Sequence, residues 1–311
     1  MPALPSLRQL GYLVAVADRL SFTQAAEACF VTQSTLSAGI KELEATLGAR
    51  LVERDRQNVM MTPLGIEVAD RARALLAAAE DLAQLVQGAA EPMSGVLRLG
   101  AIPTIAPFVL PRVLPQLRAR YPKARLALRE DLTGNLLERL RAGALDVALI
   151  ALPYDTTGLL VEELWGDEFW LVAREGDPAA RSKRPGVSAV AADRLLLLEE
   201  GHCLRDHTLA GCGLAQKANP SGMEATSLLT LVQMVESGLG IALVPEMALK
   251  AGILKGTALV ALPIAAPAPR REIALVARAS TARREEFGLL ADLMREVERR
   301  AQSRAVPRRR G

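Results

Sequence analysis

The stretch SFTQAAEACFVTQSTLSAGIKELEATLG, residues 21–48, decides the fold of the N-terminal part of the chain. Ser21 precedes Gln24 by three residues, which is the spacing of a capping box at a helix start. A further helix is predicted to start near Thr32, a good N-cap residue, and to stop at Gly48. Because only a tight turn joins the two helices, the stretch predicts a helix-turn-helix.

The flanking residues complete the outline of a small winged domain. Upstream, Leu7 and Leu10 begin an apolar stripe at helical spacing, which predicts one more helix. Downstream, residues 51–54 and 59–61 predict a hairpin with a polar tip, a wing. The pattern places an all-α winged helix-turn-helix at residues 1–62.

Short polar side chains lie on the first turns of the second helix of this motif. They are donors and acceptors of the kind that contact base edges and phosphates when a helix enters the major groove. An ordinary three-helix bundle with a polar face would carry the same pattern, so the residues alone leave both interpretations open. The candidate DNA-binding residues are Thr32, Gln33, Ser34, Thr35, Ser37, Lys41, Arg54 and Arg56.

A long helix is predicted after the wing. Thr62 and Pro63 give an N-cap followed by proline at the first helical position. Apolar residues then form a heptad seam, on a helix about 39 Å long. The seam predicts a dimer through this linker helix at residues 63–90, although a helix packed on its own domain would show the same seam. The seam residues are Val68, Ala72, Leu75, Ala79, Leu82 and Val86.

The run from Leu7 to Gly65 resembles the N-terminal module of the LysR-type transcriptional regulators. The motifs that carry the resemblance are SFTQAAE, TQSTLS, KELE and the closing TPLG. Ser34 stands where the family usually has proline, and we expect a local change in contacts without loss of the helix. The resemblance implies a regulator that binds double-stranded promoter DNA, forms a dimer and a homotetramer, and contacts RNA polymerase.

The composition excludes several other classes of protein. A length of 311 residues suggests about two domains. With 50% hydrophobic and 23% charged residues, the chain is neither disordered nor a disulfide-dense mini-protein. No apolar run approaches the roughly 18 residues that span a bilayer, and no secretory signal is visible. We therefore expect a cytoplasmic protein with reduced cysteines and no membrane partner.

Residues 91–311 alternate strand and helix patterns, which predicts an α/β effector domain with a parallel sheet. The LysR resemblance implies two periplasmic-binding-protein-like lobes, lobe I at about 93–166 and 268–300 and lobe II at about 167–267. The chain would cross between the lobes twice. The predicted strands are residues 96–100, 125–129, 146–150, 169–172, 195–198, 241–244 and 272–276, and a final helix starts at Arg283.

Two threonines mark a candidate ligand site in this domain. Parallel sheets bind ligands at the carboxyl ends of their strands. Thr104 and Thr133 each follow a predicted strand at the start of a helix, where hydroxyls and free N–H groups make a small polar site. Each threonine is equally well explained as a simple N-cap.

The segment EEGHCLRDHTLAGC, residues 199–212, holds both histidines and two of the three cysteines. A cation near a thiol lowers its pKa, so His202 and Arg205 favour a reactive thiolate at Cys203. If the segment is helical, the sulfurs of Cys203 and Cys212 start roughly 13 Å apart. A disulfide needs Cα atoms within about 7 Å, so its formation would refold the segment.

Other interpretations of this segment stay open. A cysteine nucleophile would need a histidine base, and the adjacent His202 is badly placed for that role; no cofactor loop or complete catalytic set indicates an enzyme. Partly buried structural cysteines would look the same, and Cys29 is assigned to the core. A zinc site lacks the usual Cys-x₂₋₄-Cys knuckle; its ligands would be His202, Cys203, His207 and Cys212.

Four stretches resemble the peroxide-sensing branch of the LysR family: GHCLRD with a cysteine nine positions after the first, IPTIAPFVLP, ATSLLTLVQMV and PRREIALV. The resemblance implies that hydrogen peroxide oxidises Cys203 to a sulfenic acid and that Cys212 resolves it as a disulfide, with no cofactor and no metal. A thiol reductant system would restore both thiols, and the switch would change oligomer arrangement and promoter binding. Thr104 and Thr133 would orient the peroxide, and the polar residues around Cys203 would be His202, Arg205, Asp206 and Arg271, the last preferred to Arg270.

His207 and Gly213 depart from that branch. An apolar side chain at position 213 would anchor the reduced state, so Gly213 predicts a looser anchor and easier disulfide formation. The alternative function is a LysR-type regulator that responds to a small-molecule effector in the inter-lobe cleft, with passive cysteines.

Overall fold

A computed structural model describes most of the chain, and its described residues form two compact units. The first unit contains the N-terminal helices and the wing, and the second contains the α/β body. No helix in the described part is long and apolar enough to span a bilayer. The described residues are 4–54, 59–88, 92–187, 190, 192–214 and 222–305.

Three short helices form the first unit: α1 (Leu7–Arg19), α2 (Phe22–Ala28) and α3 (Gln33–Leu47). Each begins at a hydroxyl cap, because the side chains of Ser6, Ser21 and Thr32 accept hydrogen bonds from backbone N–H groups three residues on. The structure confirms the predicted helix-turn-helix, and Ser34 leaves α3 intact as expected. The core residues shared by these helices include Leu13, Val16, Leu36, Ile40 and Leu43.

The wing is a two-stranded antiparallel hairpin of β1 (Val52–Arg54) and β2 (Val59–Met61). Its tip, residues 55–58, lies outside the described residues, as does the side chain of Arg54. The predicted DNA contacts of Arg54 and Arg56 therefore stay predictions.

The long helix α4 (Pro63–Gly88) begins where the sequence predicts it. The Thr62 hydroxyl accepts from the Gly65 N–H at 2.9 Å and donates to the Arg50 carbonyl at 3.0 Å, which joins the wing to the helix. A second tie joins α4 to α1, where Arg73 lies 2.5 Å from Asp18.

The heptad seam of α4 is divided along its length. Ala72 is buried and Val68 is packed against the core of the first three helices, whereas Leu75 and Leu82 are 56% and 68% exposed. The expectation of a single seam facing a partner was therefore wrong for its first half, which packs on its own domain because α1 lies against it. The side chain of Val86 lies outside the described residues.

The second unit begins with three parallel strands, β3 (Gly95–Ala101), β4 (Ala124–Glu130) and β5 (Val147–Leu152). Helices α5 (Ala106–Arg120) and α6 (Thr133–Arg141) connect them. The sheet is mixed and not purely parallel, because the strand that pairs with the free edge of β5 runs antiparallel to it, and the next strand outward reverses direction again. The order across the sheet is β4, β3 and β5, then β11 (Arg270–Arg278) and β6 (Leu159–Arg174).

Strand β6 belongs to both halves of this unit. Up to Glu168 it pairs with β11, and from Phe169 onward it pairs with β9 (Ala242–Pro245) and β10 (Leu259–Pro263). The change of partners places α7 (Cys203–Gly211) and the elements around it in a second lobe. The other elements are β7 (Leu197–Leu198), β8 (Glu224–Ala225), α8 (Leu228–Glu236), α9 (Glu246–Lys250) and, at the end of the chain, α10 (Arg284–Ala305).

Gly65 carries the joint between the wing and α4, because a Cβ at this position would lie 2.0 Å from the Leu51 carbonyl oxygen. We expect Gly65→Ala to lower the free energy of unfolding by about 1–3 kcal/mol, through this backbone clash. Gly11→Ala is the matched control, because Gly11 lies inside α1 with open space around it. This substitution should raise the free energy of unfolding by about 0.5–1 kcal/mol. Urea unfolding of the full chain measures both; equal effects of the two variants would contradict the account.

Candidate functional site

A buried polar pocket lies where the two lobes of the α/β unit meet. Thr104 follows β3 and Thr133 opens α6 after β4, so both lie at the carboxyl edge of neighbouring parallel strands. Their exposed fractions are only 2% and 1%. The structure thus brings the two predicted threonines to one edge of the sheet.

Arg271 and Asp167 form a buried ion pair across β11 and β6, where they are direct cross-strand neighbours. The Arg271 Nε donates to the Asp167 carboxylate at 3.0 Å. Its remaining nitrogens donate to the Thr104 hydroxyl at 2.9 Å and to the Thr104 carbonyl at 3.1 Å. One guanidinium therefore fixes both strands and the threonine loop.

The second lobe completes the surroundings of this guanidinium. The Asp167 carboxylate also accepts from the Met247 N–H at 3.0 Å, and Met247 begins the buried face of α9. The ring of Phe169 lies 5.9 Å from the Arg271 guanidinium, measured to the ring centroid. Arg270, in contrast, is exposed and pairs with Glu272.

Cys203 is the first residue of α7 and is 4% exposed. Burial raises the pKa of its thiol; the charge of Arg271, the Thr133 hydroxyl and the Leu204 N–H lower it, and Asp206 raises it. Burial prevails, so the resting group at neutral pH is the thiol. The expectation of a thiolate favoured by its neighbours in sequence was wrong, because the cation that acts on this sulfur is Arg271 from another strand.

His202 and Arg205 are occupied elsewhere. Burial lowers the pKa of His202, which keeps its ring neutral, and the ring hydrogen-bonds to the backbone of Thr226. The Arg205 guanidinium donates to the Leu198 carbonyl at 3.0 Å and to the Glu224 carboxylate at 2.6 Å. Arg205 thereby fastens α7 to β7 and β8.

Two buried polar atoms, one on Thr133 and one on His207 of α7, lack a formed hydrogen bond within the described residues. One is the Thr133 hydroxyl, which is close enough to lower the pKa of the Cys203 thiol without a well-formed hydrogen bond to it. The other is Nδ1 of His207. Buried polar atoms are nearly always paired, so both atoms indicate a site for a small polar molecule.

Cys212 caps the other end of α7 and packs against the core of the second lobe. Burial raises the pKa of its thiol to about 11. Gly213 follows with a φ of 67°, a conformation that favours glycine, so this position has a backbone reason for glycine besides any loss of a side-chain anchor. The four predicted zinc ligands do not gather, since no metal-binding cluster of three or more ligands occurs among the described residues.

The polar face predicted to contact DNA lies at the start of α3. Thr32, Gln33, Ser34, Thr35 and Lys41 are exposed, and Ser37 is half-buried. The Thr32 hydroxyl accepts from the Thr35 N–H at 3.2 Å and lies 2.9 Å from the Ser34 hydroxyl. Thr32 therefore has a capping role whatever else it contacts.

Comparison with known proteins assigns both units. Residues 7–66 match the model for the bacterial regulatory helix-turn-helix protein of the lysR family, and residues 90–299 match the LysR substrate binding domain. The chain belongs to the LysR family. This LysR-family chain is accordingly a DNA-binding transcriptional regulator and not an enzyme.

Relatives of this LysR-family chain span nearly all of its length. The HTH-type transcriptional regulator EstR of Acinetobacter baylyi is 46% identical over 96% of this chain and 98% of EstR. A probable hydrogen peroxide-inducible genes activator of Mycobacterium avium is 42% identical over 94% of each chain. A full-length OxyR variant from Pseudomonas aeruginosa is similar in structure, with a TM-score of 0.80 and 33% identity over 94% of this chain and 95% of that one.

Several groups that shape the pocket were not predicted from the sequence. Asp167 reaches it from the middle of β6, Met247 from the first turn of α9 and the Pro153 carbonyl from just after β5. The acidic pair Asp167-Glu168, directly before the apolar run of β6, was the available signal for Asp167.

Removing the charge of Arg271 tests the buried ion pair. We expect Arg271→Met to lower the free energy of unfolding by about 3–5 kcal/mol, because the Asp167 carboxylate is left buried without its partner. Arg270→Met, at the exposed neighbouring position, is the control and should change it little. The double variant Asp167→Leu/Arg271→Met should recover part of the loss in urea unfolding; no recovery would contradict the account.

Stability should fall in mild acid because both histidines are buried as neutral rings. Their pKa values are lowered from 6.5 in the folded chain, so below about pH 6.5 the unfolded chain binds more protons. The free energy of unfolding should therefore drop between about pH 7 and pH 5, and less so in His202→Gln/His207→Gln. Urea unfolding at the two pH values measures this; an equal drop in the double variant would exclude the histidines as the cause.

Proposed function

We propose that this LysR-family chain is a hydrogen peroxide sensor that switches promoter binding through Cys203 and Cys212. The observation that carries the proposal is a buried Cys203 thiol beside Arg271 and the unpaired Thr133 hydroxyl. The polar groups around this buried thiol suit a small polar oxidant. The name of the Mycobacterium avium relative, a probable hydrogen peroxide-inducible genes activator, supports the same signal.

The proposed chemistry has two balanced steps. The Cys203 sulfur attacks one oxygen of hydrogen peroxide, the O–O bond breaks, and a sulfenic acid and water form. The Cys212 thiol then attacks the sulfenic sulfur, which gives the disulfide and a second water. Thr104 and Thr133 would orient the peroxide, and Arg271 would stabilise the negative charge that develops on sulfur and oxygen.

The second step requires α7 to unfold. Cys203 and Cys212 lie at opposite ends of a nine-residue helix, about 13 Å apart along its axis, whereas a disulfide needs Cα atoms within about 7 Å. Opening the helix breaks the ties of Arg205 to Leu198 and Glu224. Oxidation at one atom would thus rearrange the second lobe.

The rearranged effector domain is proposed to change how the copies in an oligomer pack, and through them the DNA contacts. The exposed Leu75 and Leu82 of α4 suit a dimer seam, and a dimer would place two copies of α3 on two half-sites of promoter DNA. We assign the homotetramer, contact with RNA polymerase, a thiol reductant that resets the disulfide and a cytoplasmic location to the same proposal.

A second candidate function is regulation by a small-molecule effector in the inter-lobe cleft, with passive cysteines. The observation that favours it is the raised pKa of Cys203, since a buried thiol is slow to react. The name of the 46% identical EstR, moreover, mentions no peroxide.

A brief pulse of near-stoichiometric peroxide on the reduced full-length chain separates the two candidates. Tryptic mass spectrometry should show a peptide that links Cys203 to Cys212, and this species should be lost in Cys203→Ser. In Cys212→Ser the sulfenic acid on Cys203 should persist and be trapped by dimedone. Cys29→Ser is the matched control and should form the linked peptide normally.

Two free thiols and no sulfenic acid on Cys203 would reject the peroxide function. The DNA-binding assignment would stand, and the search would turn to an effector in the cleft.

A further inference from the structure

His207 is a buried histidine that the disulfide chemistry above leaves unused. It lies on α7 four residues after Cys203 and is 7% exposed. Residues four apart in an α-helix share a face, with Cβ atoms about 5–6 Å apart. Because helical side chains tilt toward the N-terminus, the His207 ring leans toward the turn that begins with Cys203.

One hydrogen bond fixes the tautomer of His207. Nε2 lies 3.2 Å from the Pro153 carbonyl oxygen, which can only accept, so Nε2 carries the proton and donates it. Nδ1 therefore presents a bare lone pair. This atom is buried with no hydrogen-bond partner among the described residues.

The charged groups that act on His207 also act on Cys203. Burial and the charge of Arg271 lower the pKa of His207, while the Pro153 carbonyl and Asp206 raise it. Arg271 and Asp206 act on the pKa of Cys203 as well, so the two side chains belong to one electrostatic site. At neutral pH that site holds a protonated thiol and an unprotonated ring nitrogen.

We propose that Nδ1 of His207 accepts the proton of the Cys203 thiol and is the base for its oxidation. The inference rests on the proposed reaction of Cys203 with peroxide. As the sulfur electron pair attacks one peroxide oxygen and the O–O bond breaks, the thiol proton passes to Nδ1 and then to the departing hydroxide. The products are the sulfenic acid, water and the neutral ring. A base at this point lets a thiol react without first becoming a free thiolate.

The test uses the full-length Cys29→Ser/Cys212→Ser chain, in which Cys203 is the only thiol. His207→Gln is the informative variant, because the amide can still donate to the Pro153 carbonyl but cannot take up a proton. The rate of Cys203 modification is followed by mass spectrometry across pH with two probes, hydrogen peroxide and the neutral alkylating agent iodoacetamide.

With His207 present, the rate should be nearly level above the pKa of the ring and should fall in acid. With His207→Gln we expect a rate about 100-fold lower near pH 7 that rises about tenfold per pH unit, because hydroxide alone then removes the proton. Equal rates and pH profiles in the two chains would overturn the proposal. If peroxide modifies neither chain while iodoacetamide still depends on His207, the base stands and the peroxide function fails.

A second measurement does not depend on reaction rates. The chain has only two histidines, so His202→Gln leaves a single imidazole whose nitrogen NMR signals belong to His207. At neutral pH these signals should show the Nε2–H tautomer, with Nδ1 unprotonated and able to accept a proton. Signals of the Nδ1–H tautomer or of a doubly protonated ring would also overturn the proposal.

Discussion

The guanidinium of Arg271 has no exposed surface, and the rest of the effector unit is arranged around that buried charge. An unpaired charge in such a place would cost several kcal/mol, so Asp167 across the strand pair is a requirement of the fold. The same group holds the Thr104 loop by its hydroxyl and its carbonyl. Through Asp167 it also holds the start of α9. Because these partners come from β3, β6 and the second lobe, one ion pair sets how the two lobes meet.

Burial and the charge of Arg271 have opposite effects on the pKa of the Cys203 thiol in this pocket. Burial keeps the Cys203 thiol and both imidazoles neutral, while Arg271 offers a positive charge to any anion that forms there. A neutral thiol reacts more slowly than a thiolate. Larger reagents are also kept away, because only 4% of Cys203 is exposed. In the proposed oxidation, charge therefore develops only after a small neutral molecule has reached Cys203.

Local patterns in the sequence predicted most elements but not their long-range partners. Caps at Ser21 and Thr32 and the Thr62-Pro63 start depend on neighbouring residues, and they place the helices correctly. The first ten residues of β6 were missed, because four acidic residues and a glycine interrupt the apolar pattern in the half-buried part of the strand. The residues of the candidate site were likewise predicted where a local motif indicated them and missed where only a long-range contact places them. Family resemblance indicated Arg271, whereas its pairing with Asp167 depends on a strand contact that spans about a hundred residues.

The connection between the wing and α4 is tightly packed and hydrogen-bonded. Thr62 bonds to both sides of it, the Leu51 carbonyl lies against Gly65, and Arg73 ties the same helix to Asp18 of α1. A rotation of α4 about its axis therefore cannot be absorbed at the joint. The start of α4 is thus coupled in torsion to the helix-turn-helix, because a rotation of this part of the helix has to carry α1 and α3 with it.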